Sequence, residues 1–448
     1  MNRYLSLVII LPILFVFSCS SDFSALNDNE KPTIRNLSVS EQALVKTSQN
    51  FGLKLFQSVN GVDTSNNIFI SPLSVSLALG MTLNGANGQT YEDMKNTLEL
   101  NGLSEQQINE AYKFLIDFLL NLDEKVIFEL ANSIWPKEGY PVLPTFMEVN
   151  QKYLYSEAKP LNFSQSDAVD IINNWISEKT HGKIENMLDY IDPNAIMFLI
   201  NAIYFKGTWT YQFDEELTAT KNFYSTSQNP QECQMMKISG NWLYYQDDVL
   251  QIVDLPYGDS LYSMTVFLPR SDQSIDNFIS QMTSNAWENY FQELDYKKGI
   301  VMMPKLKLDY KKLLNDMLKN MCMAIAFSGG ADFSRINGFG DLFISRVIHQ
   351  SFIQIDEEGT EAAAATIVEV GRGSGSRTYF KMYINRPYLF VIRDRINNTI
   401  LFIGKITKPG SRTYFKMYIN RPYLFVIRDR INNTILFIGK ITKPQWTE

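Results

Sequence analysis

Side chains able to do covalent or metal chemistry are scarce in this chain of 448 residues. There are two histidines, His181 and His349, and three cysteines, Cys19, Cys233 and Cys322, none with metal-ligand spacing. Serines are many, but no G-x-S-x-G elbow occurs, and two histidines leave little room for a hydrolytic triad. No P-loop and no dinucleotide-binding glycine pattern precedes a helix. The expectation is a protein that is not an enzyme and binds no metal or cofactor. What stands out instead is EEGTEAAAAT, residues 357–366, leading through IVEV into the loop-like GRGSGSR. Taken alone it reads as a short surface helix capped by Thr360, because alanine is the best helix former. The β-branched residues that follow favour a strand.

The elements that must position such a segment can be traced along the chain. Helical spacing fits residues 39–60, 73–84, 90–99, 104–122, 144–155 and 167–180, with Asp167 as the cap of the last. Strand patterns fill VIFELANSIWP, IMFLINAIYFKGTW, LYYQDDVLQIVDLPY and YSMTVFLP. Helices early and strands later point to a mixed α+β architecture with large antiparallel sheets. No long linker interrupts the pattern before GRGSGS, so one large domain is expected over 38–409. At 45% hydrophobic and 20% charged, the chain can bury a large core. A net charge of -7 without a basic block excludes a nucleic-acid partner held through phosphate contacts.

The two ends carry features of their own. In MNRYLSLVIILPILFVFSCSSD, Arg3 precedes an apolar run from Leu5 to Phe17, and small Ser18 precedes Cys19. The run is too short for a comfortable membrane span and reads as a signal peptide, residues 1–18. A cysteine directly after the cleavage site resembles the bacterial lipoprotein signal, which would make Cys19 a lipidated first residue. The alternative is an ordinary secretory signal with an incidental cysteine. Polar residues 19–37 then form a tether, and an exported protein anchored to a bacterial membrane, periplasmic or at the cell surface, is expected. Near the other end, residues 375–409 recur identically at 410–444, before a tail of 445–448. Each copy reads as a β-hairpin, PYLFVIRD and TILFIGKI around a turn at INN. An identical repeat confined to the end marks a recent duplication or an assembly error in the sequence.

Six stretches follow one another in a telling order: NIFISPLSVSLAL (67–79), FLINAIYFKGTW (198–209), MPKLKL (303–308), AFSGGADFS (326–334), VIHQSFIQIDEEGTEAAAAT (347–366) and NRPYLFVIRD (385–394). Together they resemble the serpin family over residues 39–409. The resemblance implies an α+β fold with a large central antiparallel sheet, two smaller sheets, surrounding helices and an exposed reactive loop, here about 357–378. It also implies suicide inhibition: a serine or cysteine protease cleaves the loop, which inserts into the central sheet and carries the enzyme along as a covalent acyl complex. The alternative is a non-inhibitory lipoprotein of the same fold that binds at the surface and whose loop never inserts. The expected partners are a target protease and, through the anchor, a membrane. A monomer is expected, with strand-swapped oligomers as the hazard of the spare hairpin.

Insertion as a strand makes a demand the residues can answer, because alternate side chains face opposite sides of a sheet. Thr360, Ala362, Ala364, Thr366, Val368 and Val370 form one set, small and uncharged. Glu361, Ala363, Ala365, Ile367 and Glu369 form the other and carry both charges. A surface helix needs no such separation, so the strand is preferred. Glu357 to Thr366 then form a hinge segment with Gly359 as its pivot. On the family's pattern, Ser71, Ser74, Asn201 and His349 fall at the sheet opening, as a polar cluster holding two strands that must separate. Trp209 falls near the top, where insertion begins. Singly, His349 reads as a core histidine and Trp209 as aromatic packing. For the scissile bond, counting from Glu357 lands on Gly373, and counting back from INRP lands near Ser376 and Arg377. Arginine suits the carboxylate-lined pocket of trypsin-like enzymes, and Arg372 ends the uncharged set. Arg372–Gly373 is therefore chosen, with Gly373–Ser374, Val370–Gly371 and Arg377–Thr378 as alternatives.

Overall fold

The structure is a computed structural model that describes residues 37–225, 230–360 and 379–409, together with strands 423–428 and 435–441. Its longer helices are α1 (Val39–Val62), α2 (Pro72–Leu83), α3 (Gly88–Thr97), α4 (Glu105–Leu120), α5 (Pro144–Leu154), α6 (Ala168–Lys179), α7 (Ile275–Gln281) and α8 (Ser284–Gln292). Caps explain where several begin. The Ser38 hydroxyl accepts from the Glu41 amide at 3.3 Å while the Ser38 amide donates to Glu41 Oε2 at 2.7 Å. Ser104 and Gln107 repeat that box at α4. α2 starts one residue ahead of the sequence expectation, because Pro72 has no amide to satisfy in a first turn that Ser71 caps. Asp167 precedes α6 but makes no capping bond; its backbone, at φ -102° and ψ 8°, is not in the extended form a side-chain cap needs.

The strands are β1 (Asn67–Ile70), β2 (Val126–Pro136), β3 (Ser156–Ala158), β4 (Met197–Thr208), β5 (Ala219–Tyr224), β6 (Pro230–Gln246), β7 (Leu250–Tyr257), β8 (Tyr262–Pro269), β9 (Asp295–Pro304), β10 (Leu306–Leu313), β11 (Ile348–Ile355), β12 (Gly359–Thr360), β13 (Phe380–Tyr383), β14 (Tyr388–Asp394), β15 (Ile400–Ile406), β16 (Tyr423–Arg428) and β17 (Ile435–Ile441). The expected single run LYYQDDVLQIVDLPY divides between β6 and β7. Asp247 turns the chain there, its Oδ1 accepting from the amides of Val249 and Leu250 at 2.8 Å each. A nine-stranded sheet runs β1-β15-β14-β8-β7-β6-β9-β13 with β5 on β6, and a six-stranded sheet runs β10-β11-β12-β4-β2-β3. β16 and β17 form a two-stranded sheet of their own. The fold is thus mixed α+β, one large multi-strand sheet with two further sheets and helices around them. The sheet that contains Thr360 is the six-stranded one, not the one with most strands.

The first hairpin copy lies deep in the nine-stranded sheet, and every residue of β14 and β15 is buried. That burial includes charge. Arg393 Nη2 donates to Asp254 Oδ1 at 2.9 Å, and Arg395 Nε lies 3.0 Å from Asp254 Oδ2. Asp254 also accepts from the Thr265 hydroxyl at 2.6 Å. Asp254 on β7 therefore anchors the end of the hairpin. Replacing it with leucine strands the buried Arg393, and the expected loss is ~3–5 kcal/mol. Urea unfolding of Asp254→Leu measures it; a loss below ~1 kcal/mol would show that the hairpin is held by packing alone.

Candidate functional site at the opening of the six-stranded sheet

At one end of the six-stranded sheet, two-residue β12 fits between β4 and β11. Gly359 pairs with Thr208, and Thr360 pairs with Gly207 on one side and Ile355 on the other. The chain arrives by a tight turn in which the Asp356 amide donates to the Gly359 carbonyl at 3.0 Å. Asp356 Oδ1 accepts in turn from the amides of Glu358 and Gly359. Glycine is required at 359 by close approach, since a Cβ would lie 2.1 Å from the carbonyl oxygen of Gly207. A backbone oxygen held in a strand cannot step aside as a side chain can.

Trp209 holds this turn from below. Its amide donates to the Glu358 carbonyl at 2.9 Å, and its indole Nε1 donates to the Asp356 carbonyl at 3.0 Å. The ring stacks on Tyr257 with centroids 4.3 Å apart, and the Tyr257 hydroxyl lies 2.6 Å from Thr360 Oγ1. The buried Glu357 accepts from the Thr218 hydroxyl at 2.6 Å and pairs with Lys305 at 2.5 Å. Burial pushes its carboxyl up, but the bonds from Lys305 and Thr218 outweigh burial and hold it below the usual range. Three of these contributors escaped sequence reasoning. Tyr257 ends an ordinary strand, Thr218 lies in a polar loop, and Lys305 sits inside MPKLKL without marking itself out. Only the last had a signal, its place within a recognisable stretch.

Among the described residues, no strand lies between β4 and β11 beyond Thr360. A cavity of about 400 Å³ opens there, lined by Ile200 and Asn201 of β4, Ile348 and His349 of β11, and Ser74 and Ala78 of α2. Ser71, Ser74 and His349 are joined: the Ser71 amide donates to His349 Nε2 at 3.0 Å, and Ser71 Oγ accepts from the Ser74 amide at 3.2 Å. Ser71 Oγ also donates to the Leu401 carbonyl at 2.7 Å, tying the group to β15. Asn201 shares the cavity but not the bonding. Its Nδ2 donates to Asn132 Oδ1 at 2.8 Å, and its own Oδ1 is buried without a hydrogen-bond partner. Among the described residues, no hydrogen bond crosses from Asn201 to the other three. Glu361, Ala362, Ala363, Ala364, Ala365, Thr366, Arg372, Gly373 and Cys19 lie outside the described residues.

Burial lowers the pKa of His349 to about 4, and its Nε2 is already used as an acceptor, so the ring is neutral. In the unfolded chain it titrates near 6.5. Between about pH 6.5 and 4 the unfolded state therefore binds the extra proton, and stability falls as pH falls through that window. His349→Gln, which keeps a polar group without that titration, should flatten this part of the stability–pH curve in denaturant titrations. An unchanged curve would show that other groups set it.

Residues 46–409 match the family described as Serpin (serine protease inhibitor). An uncharacterised serpin-like protein of Methanosarcina acetivorans is 32% identical over 411 residues, spanning 89% of this chain and 96% of that protein. Serpin B8 of Homo sapiens is 33% identical over 375 residues, spanning 82% and 99%. The crystal structure of the thermophilic serpin Tengpin in its native state aligns with a TM-score of 0.75 at 30% identity, covering 84% of this chain and 95% of that one. Mouse protein-Z dependent protease inhibitor aligns with a TM-score of 0.74 at 25% identity, covering 83% and 98%. The match spans the turn at Gly359, the cavity beyond it and the first hairpin, and this chain belongs to the serpin family.

Proposed function

We propose that the protein is a suicide inhibitor of proteases, serine enzymes first and cysteine enzymes second, and that β12 is the first pair of residues of a strand that cleavage completes. The observation that carries this reading is the register. Thr360 stands opposite Gly207 and Ile355. Six residues further on, the same two antiparallel registers bring Thr366 opposite Asn201 and His349, on the face where Thr360 is buried. A threonine hydroxyl there meets the Asn201 Oδ1 that now lacks a partner. Ala362 and Ala364 fall on the same inward face, where charge or bulk would be excluded.

Energy and length give the order of events. Ten further residues joining two strands add roughly ten backbone hydrogen bonds at a net ~1 kcal/mol each, comparable to the stability of a whole domain. The uncut chain is taut against collecting this. As a strand, residues 361–370 would descend ~33 Å, and the nine steps from Val370 to Tyr379 reach at most ~32 Å back when fully extended. They must return to Tyr379, where the described chain resumes just ahead of β13. Cutting near Arg372 removes the tether, and the acyl-linked protease travels with the new end. An arginine at the cut favours a trypsin-like target. Lipidation at Cys19 would hold the inhibitor at a membrane surface.

Incubation with trypsin-like proteases should give a covalent complex stable in denaturing gels, and mass spectrometry of the released peptide should show a new C-terminus at Arg372. Ala364→Arg should convert the inhibitor to a substrate, cleaved at the same rate but with no complex, because an unpaired buried charge costs several kcal/mol. Cleavage without complex across a broad protease panel would sink the proposal.

A further inference from the structure

Through the middle of its length β6 is paired on one side only. Towards β9 the ladder runs unbroken from Met235 to Tyr244. On the other side β5 reaches only to Met235 and β7 begins only at Leu243, so among the described residues 236–242 turn their outward backbone groups to no strand. Among those residues no turn or loop bond takes these groups up either. An open edge of this kind accepts an added strand. A cleft of about 840 Å³ lies along it, between β6 and residues 210–217.

The lining of the cleft specifies what fits. Asp214, Glu215, Glu216 and Glu358 all border it, and among the described residues none of these four carboxylates has an ion-pair partner. Glu357 is already neutralised by Lys305. Lys237 also lines the cleft, so four carboxylates face one ammonium. Trp242 adds a demand of its own. It is 3% exposed, yet its indole Nε1 has no hydrogen-bond partner, and a buried N–H left unpaired is costly. That edge of the indole faces the floor of the cleft, because a Cβ on Gly240 would lie 2.8 Å from Trp242 Cζ2 and 3.3 Å from Nε1. Glycine at 240 leaves the floor open. Tyr211 stands edge-on to the indole with centroids 5.7 Å apart, and it is itself 44% exposed.

We infer that this cleft binds an extended basic segment of another protein, laid along the open edge of β6 as an added strand. The edge supplies main-chain pairing, and a carbonyl of the segment is the acceptor that the Trp242 N–H lacks. Lysine or arginine side chains meet the carboxylates, with the Tyr211 ring as a further surface for a cation. An acidic segment is repelled by the same four groups, and an uncharged one leaves them unanswered. β6 belongs to the nine-stranded sheet, so the inference stands whether or not the protein traps proteases.

The test uses the full chain with nitrogen-labelled tryptophan and a blocked peptide of about seven residues that alternates valine and lysine, matched to the open edge. Two controls accompany it: the same peptide with glutamate for lysine, and the lysine peptide N-methylated along its backbone, which keeps the charge and loses the N–H groups a strand needs. The lysine peptide should shift one indole N–H resonance, the one that Trp242→Phe removes, and should slow hydrogen exchange across 236–242. Neither control should do so. Replacing Glu215 and Glu216, both exposed, with glutamine should weaken binding roughly five-fold without touching the fold. Gly240→Ala should weaken it further by filling the floor; if that variant is unstable, the glutamine pair still decides. The inference is overturned if the lysine peptide does not bind at millimolar concentration, if the N-methylated peptide binds equally well, or if binding leaves the Trp242 resonance and the exchange of 236–242 unchanged.

Discussion

Two strand edges stand apart in the middle of a folded sheet, and the rest of the molecule keeps them so. Along its length β4 pairs with β2 on one side but with β12 only at Gly207 and Thr208 on the other. β11 pairs with β10 throughout and with β12 only at Ile355. Among the described residues both edges lack a partner beyond Thr360, and an unpaired edge invites a strand. Each side is anchored away from the gap. Asn201 leans on Asn132, which donates to the Leu154 carbonyl at 2.6 Å, while Ser71 ties His349 to β15. α2 lies beneath with nearly every residue buried. Closing the gap would break one of these anchors; filling it breaks none.

The entrance is controlled by backbone geometry more than by charge. Trp209 holds two carbonyls of the turn before Gly359, Tyr257 meets Thr360, and Glu357 is fixed by Lys305 and Thr218. Among the described residues, these contacts seat Gly359 and Thr360. The small stock of reactive side chains fits such a role. His349 is a structural acceptor, and His181 lies 2.8 Å from Glu129 on the exposed face of the sheet. In the proposed reaction the nucleophile belongs to the protease, and this chain supplies the peptide it attacks and the sheet that receives it.

Local physics was legible in the sequence, and long-range bonding was not. Ser38 with Glu41 and Ser104 with Gln107 announce helix starts because a capping box is complete within four residues. The two-sided pattern of residues 360–370 is legible for a similar reason, since strand alternation needs no partner to be visible. Asp167 misled because a capping residue type does not guarantee a capping backbone. Asp247 and Asp248 interrupt two apolar runs whose flanks alone read as one strand. Tyr257, Lys305 and Thr218 act across 103, 52 and 139 positions of chain, and nothing near them in sequence points to the partner. The resemblance named Ser71, Ser74, Asn201 and His349 as one group. Which of them are bonded depends on how far β4 and β11 stand apart, a property of the whole sheet.

In the proposed mechanism the gap between β4 and β11 awaits the loop. Its most direct test is thermal unfolding of the intact single-copy protein beside the same protein nicked once within residues 367–377 by a non-target protease. A completed strand should raise the melting temperature on the order of 10 °C or more. Coincident melting of the nicked and intact forms would contradict the claim and leave the cavity without its occupant.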